Sequence, residues 1–271
     1  EIFYAALNME LDEDDQDEYY DEVVESFIQE AKYEKVSPRE VAEKQKHLTT
    51  HQQKLLEERL SKFDKLFDGT LGHYKQQQVH LEIEEDAVPV HSKAYSVPKA
   101  HEEIFKKELR HLIDIGVLRP CGPTEWACPT FIIPKKPEPD GTQRVRWISD
   151  MRELNKVLKR KVYPLPLIQD VISRRSGYKY FTKIDLTMFY YNLELDDESK
   201  ELCTIVTPFG KFQYCRMAMG LKPAPDFAQA IIEEVLQELD IEVYLDDIGI
   251  FTNGTYEEHL AAIELVLRRL E

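Results

Sequence analysis

One stretch of the chain guides the interpretation of all the others: Ile241-Glu242-Val243-Tyr244-Leu245-Asp246-Asp247-Ile248-Gly249-Ile250-Phe251. Strand-forming apolar residues lead into two adjacent carboxylates, and a second apolar run follows at once. We interpret the stretch as a tight β-hairpin with Asp246 and Asp247 at its turn. An acidic pair in a turn is common without any chemical role, so the hairpin alone predicts no function.

A third carboxylate makes this hairpin a candidate metal site. Asp185 ends the run Tyr180-Phe181-Thr182-Lys183-Ile184-Asp185, which has the composition of a strand. We expect Asp185 to lie deep in that strand, where an unpaired carboxylate is costly to desolvate. Three converging carboxylates repel one another unless cations lie between them, and magnesium prefers oxygen ligands. The first hypothesis is a two-metal phosphoryl-transfer site, and the acids alone leave a metal-dependent nuclease or phosphatase open.

Composition limits the class of protein. The 271 residues are 42% hydrophobic, which is enough for one large core or two subdomains. No apolar run approaches the roughly 18 residues of a membrane span, and no leader follows Glu1, so we expect neither an anchor nor a signal peptide. The four cysteines lack zinc-finger spacing, so we expect reduced thiols in an intracellular protein and no structural zinc.

The net charge of −16 is distributed unevenly. Residues 1–48 contain 15 acidic and 5 basic residues. We interpret them as an acidic flexible linker, because a dense acidic run repels itself and buries little. Residues 135–161 contain nine lysines and arginines against four acids. This basic stretch is either a solvent-exposed surface or a cationic clamp for phosphates.

Periodicity predicts the first half of the fold. A helix should begin after Thr50, capped through Gln53, and a strand is expected at Val79–Ile83. Two strands should flank the turn Lys135-Lys136-Pro137-Glu138-Pro139-Asp140-Gly141, which places both lysines near a hairpin tip. On the return strand, Arg144-Val145-Arg146-Trp147-Ile148-Ser149, the two arginines share one face.

The second half of the chain continues the mixture of strands and helices. A further hairpin is expected around Pro208-Phe209-Gly210, a helix should start at Pro225, and a last helix should follow the acidic hairpin. His259 lies on that last helix, where we expect a surface or capping role. Because the elements do not follow strict βαβ alternation, the predicted fold class is α+β.

Taken together, these segments resemble the reverse transcriptases of LTR retrotransposons of the gypsy type and, more distantly, those of retroviruses. The similarity covers roughly residues 49–271. It rests on eight segments in the same order: Leu66-Phe67-Asp68-Gly69-Thr70-Leu71-Gly72, Gly116-Val117-Leu118, Trp126-Ala127-Cys128-Pro129, Asp150-Met151-Arg152-Glu153-Leu154-Asn155-Lys156, Tyr163-Pro164-Leu165-Pro166, Phe181-Thr182-Lys183-Ile184-Asp185-Leu186, Met219-Gly220-Leu221 with Pro225-Asp226-Phe227, and Tyr244-Leu245-Asp246-Asp247.

The resemblance implies a right-hand polymerase, with a helical lead-in at 49–78, fingers at 79–160 and a palm at 161–271. The palm would contain an antiparallel sheet packed on helices. Such enzymes transfer deoxynucleotides to a primer 3′-hydroxyl on an RNA or DNA template. In the family, the full polyprotein also links a protease, a ribonuclease H and an integrase. It acts inside the cell, in a cytoplasmic particle or the nucleus, without a membrane.

The resemblance also assigns roles to individual residues. Asp185, Asp246 and Asp247 would hold two magnesium ions, with manganese as a possible substitute. Arg152 and Tyr244 would contact nucleic acid.

Further matches concern the incoming nucleotide. Lys136 and Arg146 match finger residues that grip the triphosphate, and Lys135 is an adjacent alternative for the first role. Tyr190 matches the aromatic gate that excludes a 2′-hydroxyl. Met219 stands at a nucleotide contact that is a polar glutamine in retroviral enzymes.

Two departures from the family pattern bear on activity. Ala218 replaces the usual proline and Phe189 the usual small residue, and both changes would loosen the nucleotide pocket. Glu271 falls before the family's primer grip, thumb, connection and ribonuclease H, and the chain does not begin with Met. We therefore expect a fragment with weak activity. A remnant that only binds nucleic acid or a partner is the alternative.

Overall fold

The computed structural model describes residues 34–134, 145–166 and 177–271. The first 33 residues of the predicted linker therefore lie outside the described residues. So do Lys135 and Lys136, the predicted triphosphate contacts, and Arg144.

The fold is α+β, as predicted. Within the described residues, the α-helices are α1 (Pro38–Lys44), α2 (Thr50–Leu60), α3 (Glu102–Asp114), α4 (Arg152–Val157), α5 (Asp197–Leu202), α6 (Ala224–Val235) and α7 (Tyr256–Leu270). Short 3-10 helices span Ser61–Phe67, Lys99–His101 and Phe189–Asn192. The strands are β1 (Tyr74–Val79), β2 (Leu118–Pro120), β3 (Cys128–Pro134), β4 (Val145–Ser149), β5 (Tyr180–Asp185), β6 (Leu193–Leu195), β7 (Thr204–Thr207), β8 (Gly210–Tyr214), β9 (Ile241–Tyr244) and β10 (Asp247–Thr252).

A three-stranded antiparallel sheet, in the order β5-β10-β9, contains the acidic hairpin. Side chains alternate between its two faces. Ile248 and Ile250 are fully buried on the face that packs on α6 and α7. Odd-numbered residues of β5 and β10 lie on the opposite face. That outer face is where the acids emerge.

His259 of α7 lies beneath this sheet and hydrogen-bonds two of its strands. The predicted surface or capping role is therefore wrong. Its side chain is only 3% exposed. Nε2 is 2.8 Å from the hydroxyl of Thr182 on β5, and Nδ1 is 2.9 Å from the hydroxyl of Thr252 on β10. Burial lowers the pKa of His259, which favours a neutral ring. The ring ties together the two strands that present Asp185 and Asp247.

A second, five-stranded sheet has the order β2-β8-β7-β3-β4, in which only β3 and β7 pair in parallel. It contains the strands of the other two predicted hairpins, β3 with β4 and β7 with β8. A buried hydroxyl network joins them: the Tyr214 hydroxyl accepts a hydrogen bond from Trp147 Nε1 at 3.1 Å and lies 2.9 Å from Ser149 Oγ. Ser149 in turn bonds Thr130 at 2.9 Å. These bonds satisfy polar groups that burial would otherwise leave unpaired.

The N-terminal part differs from the sequence predictions at three places. Residues 38–44, inside the predicted linker, form α1, because Ala42 buries its side chain within the hydrophobic core. The cap of α2 is Thr49 rather than Thr50, with reciprocal bonds to Gln52. The strand predicted at 79–83 lies earlier in the chain: β1 spans Tyr74–Val79, and its pairing with β6 ends at Val79. Residues 75–78 of β1, a lysine and three glutamines, are all exposed, so the apolar alternation that marks a strand in the sequence is missing.

Among the described residues, no helix has both the length and the apolar composition needed to cross a membrane. All four cysteines are free thiols, and Cys128 and Cys203 are buried.

Glu264 joins α7 to the N-terminal helical region. Its carboxylate accepts hydrogen bonds from Arg268 at 2.7 Å, Arg59 at 2.6 Å and Lys62 at 3.2 Å. These donors, with Arg268 contributing most, lower the pKa of Glu264 from 4.5 to about 2. Folding therefore favours the ionised form of Glu264 over its protonated form.

We expect Glu264→Gln to lower Tm at pH 7, because the three cations lose their shared partner. The folded pKa lies below the unfolded one, so this stabilisation is present above about pH 4.5 and is lost as pH falls toward 2. Thermal unfolding followed by circular dichroism at pH 7 and pH 3 measures the effect. The Tm difference from the wild type should shrink at pH 3, whereas an equal difference at both values would contradict the account. Glu257→Gln, at an exposed position of α7, is the matched control.

Candidate active site

Three acids meet where β5 and β9 end and β10 begins. Asp185 is the last residue of β5 and Asp247 the first of β10, and the register places them opposite each other. Asp246 lies in the turn before β10, and its carbonyl accepts a 2.8 Å hydrogen bond from Leu186 N. One carboxylate oxygen from each acid lies within 4.8 Å of those of the other two. The convergence predicted from the sequence is present.

Burial is distributed among the acids differently from the prediction. Asp185 was expected to be deep in its strand, but its side chain is exposed because it lies on the outer face of the sheet. Desolvation acts on Asp246 instead. Burial raises the pKa of Asp246 to about 6, and the charges of Asp185 and Asp247 add to the rise. The site is thus a negative cluster that resists full ionisation without a cation.

Asp247 offers an unused ligand atom. Its Oδ2 pairs with Lys183 Nζ at 2.8 Å. Its Oδ1 is buried and has no hydrogen-bond partner within the described part of the chain. A buried carboxylate oxygen without a partner is unfavourable, and a divalent cation would satisfy it. Asp185, Asp246 and Asp247 therefore fit a divalent metal ion held by oxygen ligands.

A side chain that the sequence analysis missed holds the acidic turn. Leu245 has φ 53°, a left-handed conformation that costs a leucine about 1–2 kcal/mol. Gln229 of α6 is fully buried; its Oε1 accepts from Leu245 N at 2.7 Å and its Nε2 donates to Val243 O at 3.0 Å. These two bonds fix the backbone on both sides of Tyr244. The sequence feature that could have identified Gln229 is its polar amide within the apolar run Phe227-Ala228-Gln229-Ala230-Ile231-Ile232.

Tyr190 is brought close to the acids. It lies in the 3-10 helix after β5 and is 3% exposed. Met188, with φ 54°, reverses the chain just before it. Burial raises the pKa of the Tyr190 hydroxyl, and the negative charge of Asp246 adds to the rise. The Tyr190 hydroxyl is therefore near enough to Asp246 to be affected by its charge.

Four other predicted site residues lie within the described part of the chain. Tyr244 ends β9 opposite Asp247. Arg152 starts α4 and pairs with Asp150 at 2.8 Å. Met219 is buried in the core, and Arg146 lies on β4 with its Nε buried and unbonded among the described residues.

Comparisons with known proteins agree on one family. The family model described as reverse transcriptase (RNA-dependent DNA polymerase) matches residues 133–271, which include all three acids. The retrovirus-related Pol polyprotein from transposon 297 of Drosophila melanogaster is 32% identical over 185 residues, covering 67% of this chain and 17% of the relative. The Pol polyprotein from transposon gypsy of the same fly is 29% identical over 189 residues, covering 68% and 18%.

A solved structure shares the fold. The foamy viral protease-reverse transcriptase in complex with an RNA/DNA hybrid superposes with a TM-score of 0.74 at 21% identity. The match covers 86% of this chain and 31% of that one. The chain spans less than a fifth of the length of the two Drosophila polyproteins.

Proposed function

The chain belongs to the reverse transcriptase family, and we propose that it provides the catalytic centre for template-directed addition of deoxynucleotides to a primer. The family and the α+β fold predicted from the sequence are confirmed. We also propose that the chain acts within a longer polyprotein, linked to a protease, a ribonuclease H and an integrase. In this proposal residues 79–160 form the fingers and residues 161–271 the palm.

One observation supports the proposal most: three carboxylates of a reverse transcriptase chain lie within 4.8 Å, and one of them has a buried, unpartnered oxygen. We infer that Asp185, Asp246 and Asp247 hold two magnesium ions, which manganese would replace. When bound, these ions lower the pKa of the primer 3′-hydroxyl and neutralise the leaving pyrophosphate.

The chain's own residues position the reactants. The three acids fix the place where the primer 3′-oxygen meets the α-phosphorus of the nucleotide. The 3′-hydroxyl loses its proton to solvent and its oxygen bonds to the α-phosphorus. The bond from the α-phosphorus to the oxygen that bridges to the β-phosphate breaks, and pyrophosphate leaves with that oxygen. Tyr190, beside Asp246, supplies the wall against a 2′-hydroxyl in this proposal. The covalent chemistry is simple, so positioning and charge neutralisation account for most of the rate.

The remaining predicted contacts complete the proposal. Arg146, Met219 and one of Lys135 and Lys136 would contact the nucleotide. The template and primer would lie along Arg152 and Tyr244; the related foamy viral enzyme was solved with an RNA/DNA hybrid.

Primer extension on an RNA template with magnesium tests the proposal. The comparison uses this chain, a version extended by the residues that follow in the polyprotein, and Asp246→Asn in the extended version. We expect the extended version to elongate the primer and Asp246→Asn to be inactive. Equal activity in these two proteins would contradict the proposal.

Gln229→Leu should slow primer extension by roughly tenfold or more, because Leu245 N and Val243 O would lose partners worth about 1–3 kcal/mol each. The turn that presents Asp246 would then leave its left-handed conformation more readily. Single-turnover rates at saturating nucleotide measure the change. Gln237→Leu, an exposed amide just beyond α6, is the control and should retain the wild-type rate. A Gln229→Leu rate equal to that of the control would show that Gln229 has no positioning role.

A further inference from the structure

Lys183 contacts the acidic site although the proposed reaction assigns it no role. It lies on β5 two residues before Asp185 and on the same outer face of the sheet. Its Nζ is 2.8 Å from Asp247 Oδ2, and its side chain is 56% exposed.

The strand register explains how this lysine reaches an acid on the neighbouring strand. Lys183 lies opposite Gly249 of β10. A Cβ at Gly249 would lie 2.8 Å from the ring of Phe251, so this position favours glycine. Asp247 lies two residues before Gly249 on the same face of β10, so Lys183 reaches it diagonally across the strand pair. The flexible stem of lysine suits a contact that forms and breaks.

We propose that Lys183 is an internal counterion of the acidic site, which competes with a divalent cation for Asp247 and thereby sets the metal affinity. This inference rests on the proposed metal site. Without a metal, the ammonium group neutralises one of three mutually repelling carboxylates. A cation that binds Asp247 must displace Nζ from Oδ2 or share the carboxylate with it. In both cases the positive charge of lysine opposes the incoming ion.

Direct metal binding to the 271-residue chain tests the role of Lys183 without nucleic acid or turnover. Free Mn²⁺ is measured by electron paramagnetic resonance at fixed ionic strength for the wild type and Lys183→Met. Methionine keeps the length of the side chain and removes its charge. The dissociation constant of Lys183→Met should be roughly threefold to tenfold lower, as expected for loss of a partly exposed ion pair and its repulsion of the metal.

A matched control and a double-mutant cycle isolate the contact. Lys179 lies four residues earlier, about 13 Å along the strand, with its Nζ over the ring of Tyr180. Lys179→Met makes the same charge change and should bind Mn²⁺ within about twofold of the wild type. In an Asp247→Asn background, Lys183→Met should have a much smaller effect, because the two residues would no longer interact.

Thermal unfolding gives a second readout. In chelator, Lys183→Met should have a lower Tm than the wild type, because its three acids have lost their counterion. Added Mn²⁺ should raise the Tm of Lys183→Met by more than it raises the Tm of the wild type. Equal or weaker Mn²⁺ binding by Lys183→Met, with binding reduced by Asp247→Asn, would overturn the counterion role and leave the metal site intact. If none of the proteins binds Mn²⁺, both the inference and the proposed metal site are overturned.

Discussion

Replacing Asp185 with asparagine is expected to lower the rate of primer extension by about a thousandfold or more, a loss of roughly 4 kcal/mol of transition-state stabilisation. The substitution keeps the shape of the side chain and removes one formal charge and one anionic ligand. The other two acids, Asp246 and Asp247, would remain in place. Single-turnover extension by the extended version measures the loss.

The fold should tolerate this change. Asp185 is exposed at the end of β5, and asparagine relieves repulsion among three carboxylates within 4.8 Å. The Tm in chelator should therefore be unchanged or higher. Asp86→Asn, at an exposed turn remote in sequence from the acidic hairpin, should retain full activity. Substantial extension by Asp185→Asn, or a loss of activity explained by unfolding, would contradict the assignment of Asp185 as a metal ligand.

Replacing Tyr190 with valine should increase ribonucleotide incorporation relative to deoxynucleotide incorporation on the order of 100-fold. The buried ring lies near Asp246, and its removal would leave room for a 2′-hydroxyl. Discrimination by apolar contact is worth about 1–3 kcal/mol, which sets this scale. The ratio of kcat/KM values for matched ribonucleotides and deoxynucleotides measures the change.

Tyr190→Phe is the informative control, because it keeps the ring and removes only the hydroxyl. It should discriminate as the wild type does. Tyr190→Val also loses buried contacts, so its Tm has to be measured alongside. An unchanged nucleotide ratio in folded Tyr190→Val would refute the gate assignment.

Local sequence patterns were sufficient for the elements that dominate the fold. Strand-forming runs on either side of Asp246 and Asp247 predicted the hairpin, and the run ending at Asp185 predicted its neighbour. Both rest on the strand propensity of short runs of residues, which is a local property. The resemblance carried by the eight family segments then implied an antiparallel palm sheet packed on helices, which local patterns do not contain.

The errors arose where tertiary packing decides the outcome. A strand pattern does not say which face is covered, so Asp185 was expected to be buried although its face of β5 is exposed. His259 was expected at the surface, but β5 and β10 supply hydroxyl partners for both ring nitrogens. Gln229 and Lys183 were assigned no role, because their partners lie on other elements and depend on the register between them.

Single-nucleotide addition opposite a defined RNA base tests the central claim most directly. The extended version is given one deoxynucleotide at a time, with magnesium or with chelator, and Asp185→Asn serves as the inactive control. The account predicts that only the complementary nucleotide lengthens the primer, that magnesium is required, and that Asp185→Asn adds none. Addition of any nucleotide regardless of the template, shortening of the primer, or equal addition by Asp185→Asn would contradict it.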